Sequence, residues 1–237
     1  MHEFLIEADI TSEEWLQACN MLNAAGKVSS EKRNEMVLVT DVFGIESLVN
    51  TLDQTRVERL AAAKDMDRAK TEDKRSRATL SAILGPFYRA GVHVQPNGTS
   101  IVRQDEPNAE YTYLHGTIYD DEGKPIPEAL VDVWHDAPDG LYDSQSPNKP
   151  DFHCRGRFRS DEKGHFSAYC LRPVPYPIPF DHQAGQLLTL MDRHPNRPAH
   201  IHVRLYLLMC HTSGTCADAP TVLDRGGRTP YFGDSTL

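Results

Sequence analysis

Proline is absent before Pro86, and glycine occurs in that stretch only at Gly26, Gly44 and Gly85. The two residues that interrupt helices most strongly are therefore nearly missing, which argues against a turn-rich β structure there and favours long helices. No run of about 18 apolar residues exists, so no membrane-spanning helix is expected. A basic excess is missing as well: the formal net charge is −9, which argues against a nucleic-acid partner. Cys19, Cys154, Cys170, Cys210 and Cys216 form an odd, scattered set without a CxxC pair. That fits a reducing, cytoplasmic setting better than a disulfide framework. The start, MHEFLIEADITSEEW, carries acids where a secretory leader needs a basic start and an apolar stretch, so none is expected.

What is present divides near residue 83. Thr11-Ser12-Glu13-Glu14 has the capping hydroxyl and first-turn acids of a helix start, with Trp15, Leu16, Cys19 and Leu22 following at helical spacing. A second helix is predicted from about Glu31 to Phe43, and a third from Ile45 through the 50s. In the third, Ile45, Leu48, Val49 and Leu52 share one face. The charged stretch 56–77 reads as a solvated helix face or loop. From Leu84 onward the pattern is short strands and turns: Thr112–Ile118, Leu130–Trp134, a hairpin of Arg155–Arg159 with His165–Tyr169 around SDEKG, and His200–Leu208. This spacing predicts a mainly β protein, a β-sandwich preceded by a helical segment. The expected division is 1–82, helical dimerisation and linker segment, and 83–237, sandwich core with an atypical tail from about 203.

Three local patterns suggest metal chemistry. In Arg197-Pro198-Ala199-His200-Ile201-His202, residues i and i+2 of a strand would point to one face, about 7 Å apart along it, and both imidazoles could reach one ion. Tyr142 follows the turn Asp139-Gly140. Tyr176 lies in Arg172-Pro173-Val174-Pro175-Tyr176-Pro177-Ile178-Pro179, where alternating prolines hold the chain extended. Taken singly, each has an ordinary structural reading as a packing aromatic or a chance histidine pair.

Taken in order, GPFY, GTIYDDEGKPIPEALVDVWH, DGLYD, RGRFRSD, RPVPYPIP and LLTLMDRHPNRPAHIH resemble the intradiol ring-cleaving dioxygenases, and RPVPYPIP and DGLY are most similar to the hydroxyquinol 1,2-dioxygenases. The resemblance covers Leu84 to His202 and, more generally, the N-terminal helices. It implies a mononuclear ferric iron, Fe(III), held by Tyr142, Tyr176, His200 and His202, with Arg197 placed over the bound ring to stabilise charge. It further implies that Tyr176 is the ligand displaced by a diol, and that Gly85, Pro86, Phe87, Tyr88, Pro177 and Ile178 wall the substrate pocket. The substrate would be hydroxyquinol, with catechol and chlorocatechol as alternatives, reacting with O2 to a ring-opened dicarboxylic acid. The helices of 1–82 would form a homodimer, where the apolar stripe could instead pack on the chain's own sandwich. The donor set suits the metal: hard phenolate oxygens and imidazoles match a ferric ion. A trivalent cation strips the proton from a phenol of ordinary pKa about 10.

After His202 the resemblance stops. The tail VRLYLLMCHTSGTCADAPTVLDRGGRTPYFGDSTL lacks the threonine-rich segment expected there, and Cys216 stands where a polar residue should be. The expectation is a loss of sandwich strands and an exposed edge, arising from splicing, a retained intron or a shifted frame. An uninterrupted transcript across codon 203 would contradict that origin. Two other readings stay open. GTIYDDEGKPIPEALVDVW also resembles transthyretin-like carrier modules, which need no metal. The HxH pair could also serve a zinc or ferrous site with a carboxylate, as in cupins.

Overall fold

The computed structural model describes residues 2–30, 33–64, 79, 82–120, 123–210 and 216–224, with backbone alone at 54, 57–64, 207–210 and 216–224. The helical segment opens with α1 (His2–Glu7) and α2 (Ser12–Val28). The predicted start of α2 forms as a reciprocal cap: Thr11 Oγ1 accepts from Glu14 N at 3.2 Å, and Thr11 N donates to Glu14 Oε2 at 2.9 Å. The second predicted helix is shorter than expected, α3 (Glu35–Val42). Asn34 caps it by accepting from Val37 N, so Arg33 and Asn34 stay outside the helix; residues 31 and 32 lie outside the described residues. α4 (Ile45–Lys64) follows; the rest of the charged stretch to 77 lies outside the described residues. Among the described residues no helix is long and apolar enough to cross a membrane.

The sheets begin with β1 (Thr99–Ser100), β2 (Tyr111–Thr117), β3 (Leu130–Trp134), β4 (Arg155–Arg159) and β5 (His165–Leu171). β6 (Tyr176–Pro177), α5 (Gln183–Leu190), β7 (Asn196–Arg197), β8 (His202–Cys210) and β9 (Cys216–Asp224) complete the order. One sheet runs β1-β5-β2, a second β4-β3-β8-β9, and β6 pairs with β7 as a two-residue ladder. Both larger sheets turn apolar faces into one core. Ile101, Leu114, Phe166 and Ala168 meet Val131, Val133, Phe158, Val203 and Leu205. Each of these side chains larger than alanine contributes about 1.5–3 kcal/mol relative to exposure.

The expected hairpin around SDEKG is corrected. The turn forms, with Asp161 N donating to His165 O and Gly164 N to Asp161 O, both at 2.9 Å. Its strands, however, part to different sheets, β4 to β3 and β5 to β2. Phe158 and Phe166 then enter the core from opposite sheets, which a hairpin within one sheet would forbid. β9 pairs with β8 antiparallel from Cys210↔Cys216 to His202↔Asp224 and forms the outer strand of that sheet among the described residues.

α5 was not foreseen. It packs Ala184, Leu187 and Leu188 against Ala25, Leu38 and Val39 of α2 and α3. The fully buried Glu35 fastens it there. Its Oε1 accepts from Ala184 N at 2.9 Å, at the start of α5 where free amides and the helix dipole favour an anion. Arg33 bonds Glu35 and Asp181 together. The stripe on α4 does not pack on the chain's own sheets: Ile45, Leu48, Val49 and Leu52 are 48–59% exposed.

Candidate metal centre

The centre lies on the face of the β3–β8 pair that turns away from the core. Alternation along β3 sends Val131 and Val133 inward and Asp132 and Trp134 to the opposite face. Trp134 is the register partner of His202, and the indole stacks on its imidazole at 4.7 Å with planes 2° apart. His200 sits just ahead of β8, not within a strand as predicted. Freed from strand geometry, its ring turns toward His202, and the two Nε2 atoms stand 3.0 Å apart, far closer than the strand spacing suggests. Two nitrogens each about 2.1 Å from one ion, at roughly a right angle, would be separated by about 3.0 Å. His200 Nδ1 lies 2.7 Å from Pro198 O. A proton on Nδ1 makes that bond and leaves Nε2, which faces His202 Nε2, as the lone-pair atom of the ring.

The tyrosines arrive from two turns that interlock. Gly140 (φ +74°) turns the chain after β3; Gly140 N bonds Ala137 O, and Ala137 N bonds Leu141 O. Tyr142 N then donates to Gln145 Oε1 at 2.9 Å, fixing where its ring starts. A Cβ on Gly140 would meet Tyr176 Cβ at 3.3 Å, so the turn rests directly on the second tyrosine. Tyr176 pairs across the β6–β7 ladder with Arg197, whose Nη1 donates to Tyr176 Oη at 3.2 Å. The rings of Tyr142 and Tyr176 meet edge to face at 5.4 Å, and Tyr176 lies 5.4 Å from His200. Tyr142, Tyr176, His200 and His202 are all at most 5% exposed.

Such a cluster is costly unless something binds it. Tyr142 Oη is buried with no hydrogen-bond partner. Burial, and then the neighbouring phenol of Tyr176, raise Tyr142 well above the usual phenol range. Burial also raises Tyr176, against the pull of Arg197. Burial, then His200, hold His202 well below the ordinary histidine value. Without a cation the phenols keep their protons and the His202 ring is neutral; a metal would displace the phenolic protons on binding. Among the described residues no group of three or more His, Cys, Asp or Glu side chains could hold a metal. A carboxylate-assisted HxH site of the cupin kind therefore has no support. Two phenols and two imidazoles fit a hard, highly charged ion.

The pocket residues divide. A Cβ built on Gly85 lies 3.6 Å from the His202 ring. Phe87 stacks on Tyr142 at 4.7 Å. Pro86, Phe87 and Tyr88 line a cavity of 460 Å³ together with Arg89, residues 143–147, Lys149 and Asp151; Tyr176, Arg197 and both histidines are not among its walls. Tyr88 Oη bonds Asp132 at 3.2 Å. Pro177 is exposed beside Tyr176, and Ile178 packs into the helical cluster with Leu38 and Leu187. Sequence reasoning missed Trp134, Gln145, Asp143 and Arg155. The alternation of LVDVW was the one available signal for Trp134. Arg155 is joined to Tyr142 only through the fold.

Comparison with known proteins bears on the whole chain. A family model described as "Dioxygenase" matches residues 83–211, and one described as "Catechol dioxygenase N terminus" matches residues 1–60. The similarity thus continues past His202, where the sequence motifs were expected to stop. The chain is 41% identical over 206 residues to catechol 1,2-dioxygenase of Candida albicans, covering 86% of this chain and 62% of the relative. It is 35% identical over 203 residues to hydroxyquinol 1,2-dioxygenase of a Rhizobium species, covering 85% and 62%. Among solved structures, hydroxyquinol 1,2-dioxygenase from Pseudomonas putida superposes with a TM-score of 0.71 at 28% identity, over 94% of this chain and 68% of that one. The chain spans about three fifths of the length of the curated relatives it matches.

Proposed function

This chain belongs to the intradiol ring-cleaving dioxygenase family, and from that premise we propose that it is a non-haem Fe(III) enzyme that opens an aromatic 1,2-diol with O2. Tyr142, Tyr176, His200 and His202 would hold the iron. Hydroxyquinol is the preferred substrate, with catechol and chlorocatechol as the alternatives. The observation that carries the reading is the convergence of two imidazole Nε2 atoms, 3.0 Å apart, with two buried phenols, all four side chains at most 5% exposed. The carrier-module alternative gives no reason to bury those four groups together.

Bound ferric iron would supply Lewis acidity and an electron-accepting partner for the ring's diolate; it would make the ring carbon reactive toward O2. The chain's own residues supply the rest. Tyr176, as the phenolate, would accept one diol proton at Oη, and Arg197, 3.2 Å away, would stabilise charge at that oxygen and on the incoming ring. Trp134 and Phe87 hold His202 and Tyr142 at fixed angles and keep water from the donors. Gly85, against His202, leaves room for a planar ring beside the imidazole.

We read the two sheets with their shared core as a transthyretin-like β-sandwich, with 83–237 as the catalytic core and 1–82 as the helical segment of a cytoplasmic homodimer. The exposed Ile45, Leu48, Val49 and Leu52, with Trp15, Leu16 and Leu22, support a self-contact there. The test is oxygen uptake by the iron-loaded full chain with hydroxyquinol, catechol and chlorocatechol in turn. The expected result is one O2 consumed per ring, yielding a dicarboxylic acid, fastest with hydroxyquinol. An aldehyde-bearing product, or no uptake by folded, iron-loaded protein, would refute the reading.

A further inference from the structure

A buried ion cluster stands against Tyr142. Arg155, on β4, is 1% exposed, and its guanidinium carbon lies 5.7 Å from the Tyr142 ring centre. Its Nε donates to Asp143 Oδ1 at 2.6 Å, while Nη2 is buried without a partner. Asp143, the residue after Tyr142, accepts at Oδ2 from Phe152 N at 3.0 Å and from Arg89 Nη1 at 2.5 Å. Arg89 also reaches Asp151, whose side chain is 84% exposed and screened by water. Two guanidinium groups thus share one buried carboxylate.

Arg89 is 31% exposed and has Asp151, so Arg155 is the buried cation of the pair; with Nη2 unpaired it is unfavourable unless an anion faces it. Among the groups described around Arg155, Tyr142 is the one that becomes anionic when a metal takes the place of its proton. Resting on the proposed metal centre, we propose that Arg155 is a positioning residue. It provides the positive charge that offsets the metal-bound Tyr142 phenolate, and Asp143 fixes where that charge sits. Arg155 thereby complements Arg197: one guanidinium bonds the oxygen of Tyr176, and the other faces the ring of Tyr142.

The cluster makes an electrostatic prediction that a structural role does not. Removing a cation near the iron stabilises the ferric state, whereas removing an anion destabilises it. In the iron-loaded full chain, Arg155→Met is expected to lower the iron reduction potential, and Asp143→Asn to raise it. The double variant should fall between the two, and Arg155→Lys should stay nearer the parent than Arg155→Met. Arg172→Met, on an exposed pair with Glu110, should leave the potential unchanged. If Arg155→Met does not fold, the rise in Asp143→Asn and the retention in Arg155→Lys carry the test. Shifts of the same sign in Arg155→Met and Asp143→Asn, or no shift in either while the parent shows its tyrosinate-to-iron band, would overturn the inference. A parent chain that binds iron without that band would instead overturn the metal centre on which it rests.

Discussion

Replacing Glu35 by alanine should loosen the join between the helical segment and the segment that carries Tyr176 and Arg197. Glu35 is fully buried and accepts at Oε1 from Ala184 N, and at Oε2 from Arg33 Nε and Nη2, at 2.8–3.0 Å. Its loss strands the Ala184 N–H in a dry site, costing about 1–3 kcal/mol. The vacated volume adds about 1–2 kcal/mol. Arg33 keeps Asp181 and is partly exposed, so its share is at most about 1 kcal/mol. The sum, about 2–6 kcal/mol, brackets the cost of about 3–5 kcal/mol for breaking a buried charged contact. Glu35→Gln retains an oxygen for Ala184 N and should cost roughly half as much. Urea unfolding of the three proteins would read this directly. Because α5 lies in the chain between β6 and β7, Glu35→Ala should also retain iron less well. A loss below about 1 kcal/mol, or equal losses for Ala and Gln, would refute the fastening role.

Further outcomes follow from the centre and its surroundings. Tyr142→Phe should abolish iron retention, because no other group takes that position, while Tyr176→Phe should retain some iron but lose turnover; equal retention would contradict the assigned roles. Gly140→Ala should cost about 1–2 kcal/mol for its left-handed conformation and should weaken iron binding by pressing on Tyr176. Gly98→Ala, equally left-handed but in open space, should show the first effect without the second. Between about pH 4 and 7 two buried neighbours should give stability opposite slopes, while His202 and His153, also lowered by burial, add to the loss on acidification. Burial lowers His135 to about 4, so the unfolded chain takes up its proton first and stability is lost as pH falls below 6.5. Burial raises Asp136 to about 7, so the folded chain takes up its proton first and stability is gained over the same fall. Asp136→Asn should steepen the loss and His135→Gln should lessen it, each by an amount approaching ~1.4 kcal/mol per pH unit in urea titrations. Slopes equal to the parent's in both variants would contradict the assignment.

The four proposed donors stood out in the sequence only through the ordered run of family-like motifs; the turn glycine before Tyr142, the prolines about Tyr176 and the HxH pair each have an ordinary reading alone. Their mutual placement was not legible. The two-residue ladder that sets Tyr176 opposite Arg197 joins segments separated by α5, and α5 carries little intrinsic signal, holding Gly185 within it and lacking a side-chain cap at His182. Tertiary contacts through Glu35 and Leu38 stabilise it. The hairpin reading failed at SDEKG because turn chemistry reports that the chain reverses, not which sheet receives the next strand. Arg155 read as an ordinary strand residue because the carboxylate that buries it comes from another turn.

The central claim is tested most directly by the visible absorption spectrum of the iron-loaded chain, recorded before and after adding hydroxyquinol without oxygen. The account predicts a broad tyrosinate-to-iron charge-transfer band that shifts when the diol binds and is lost in Tyr142→Phe. A folded, iron-containing protein without such a band, or a band indifferent to the diol, would contradict it.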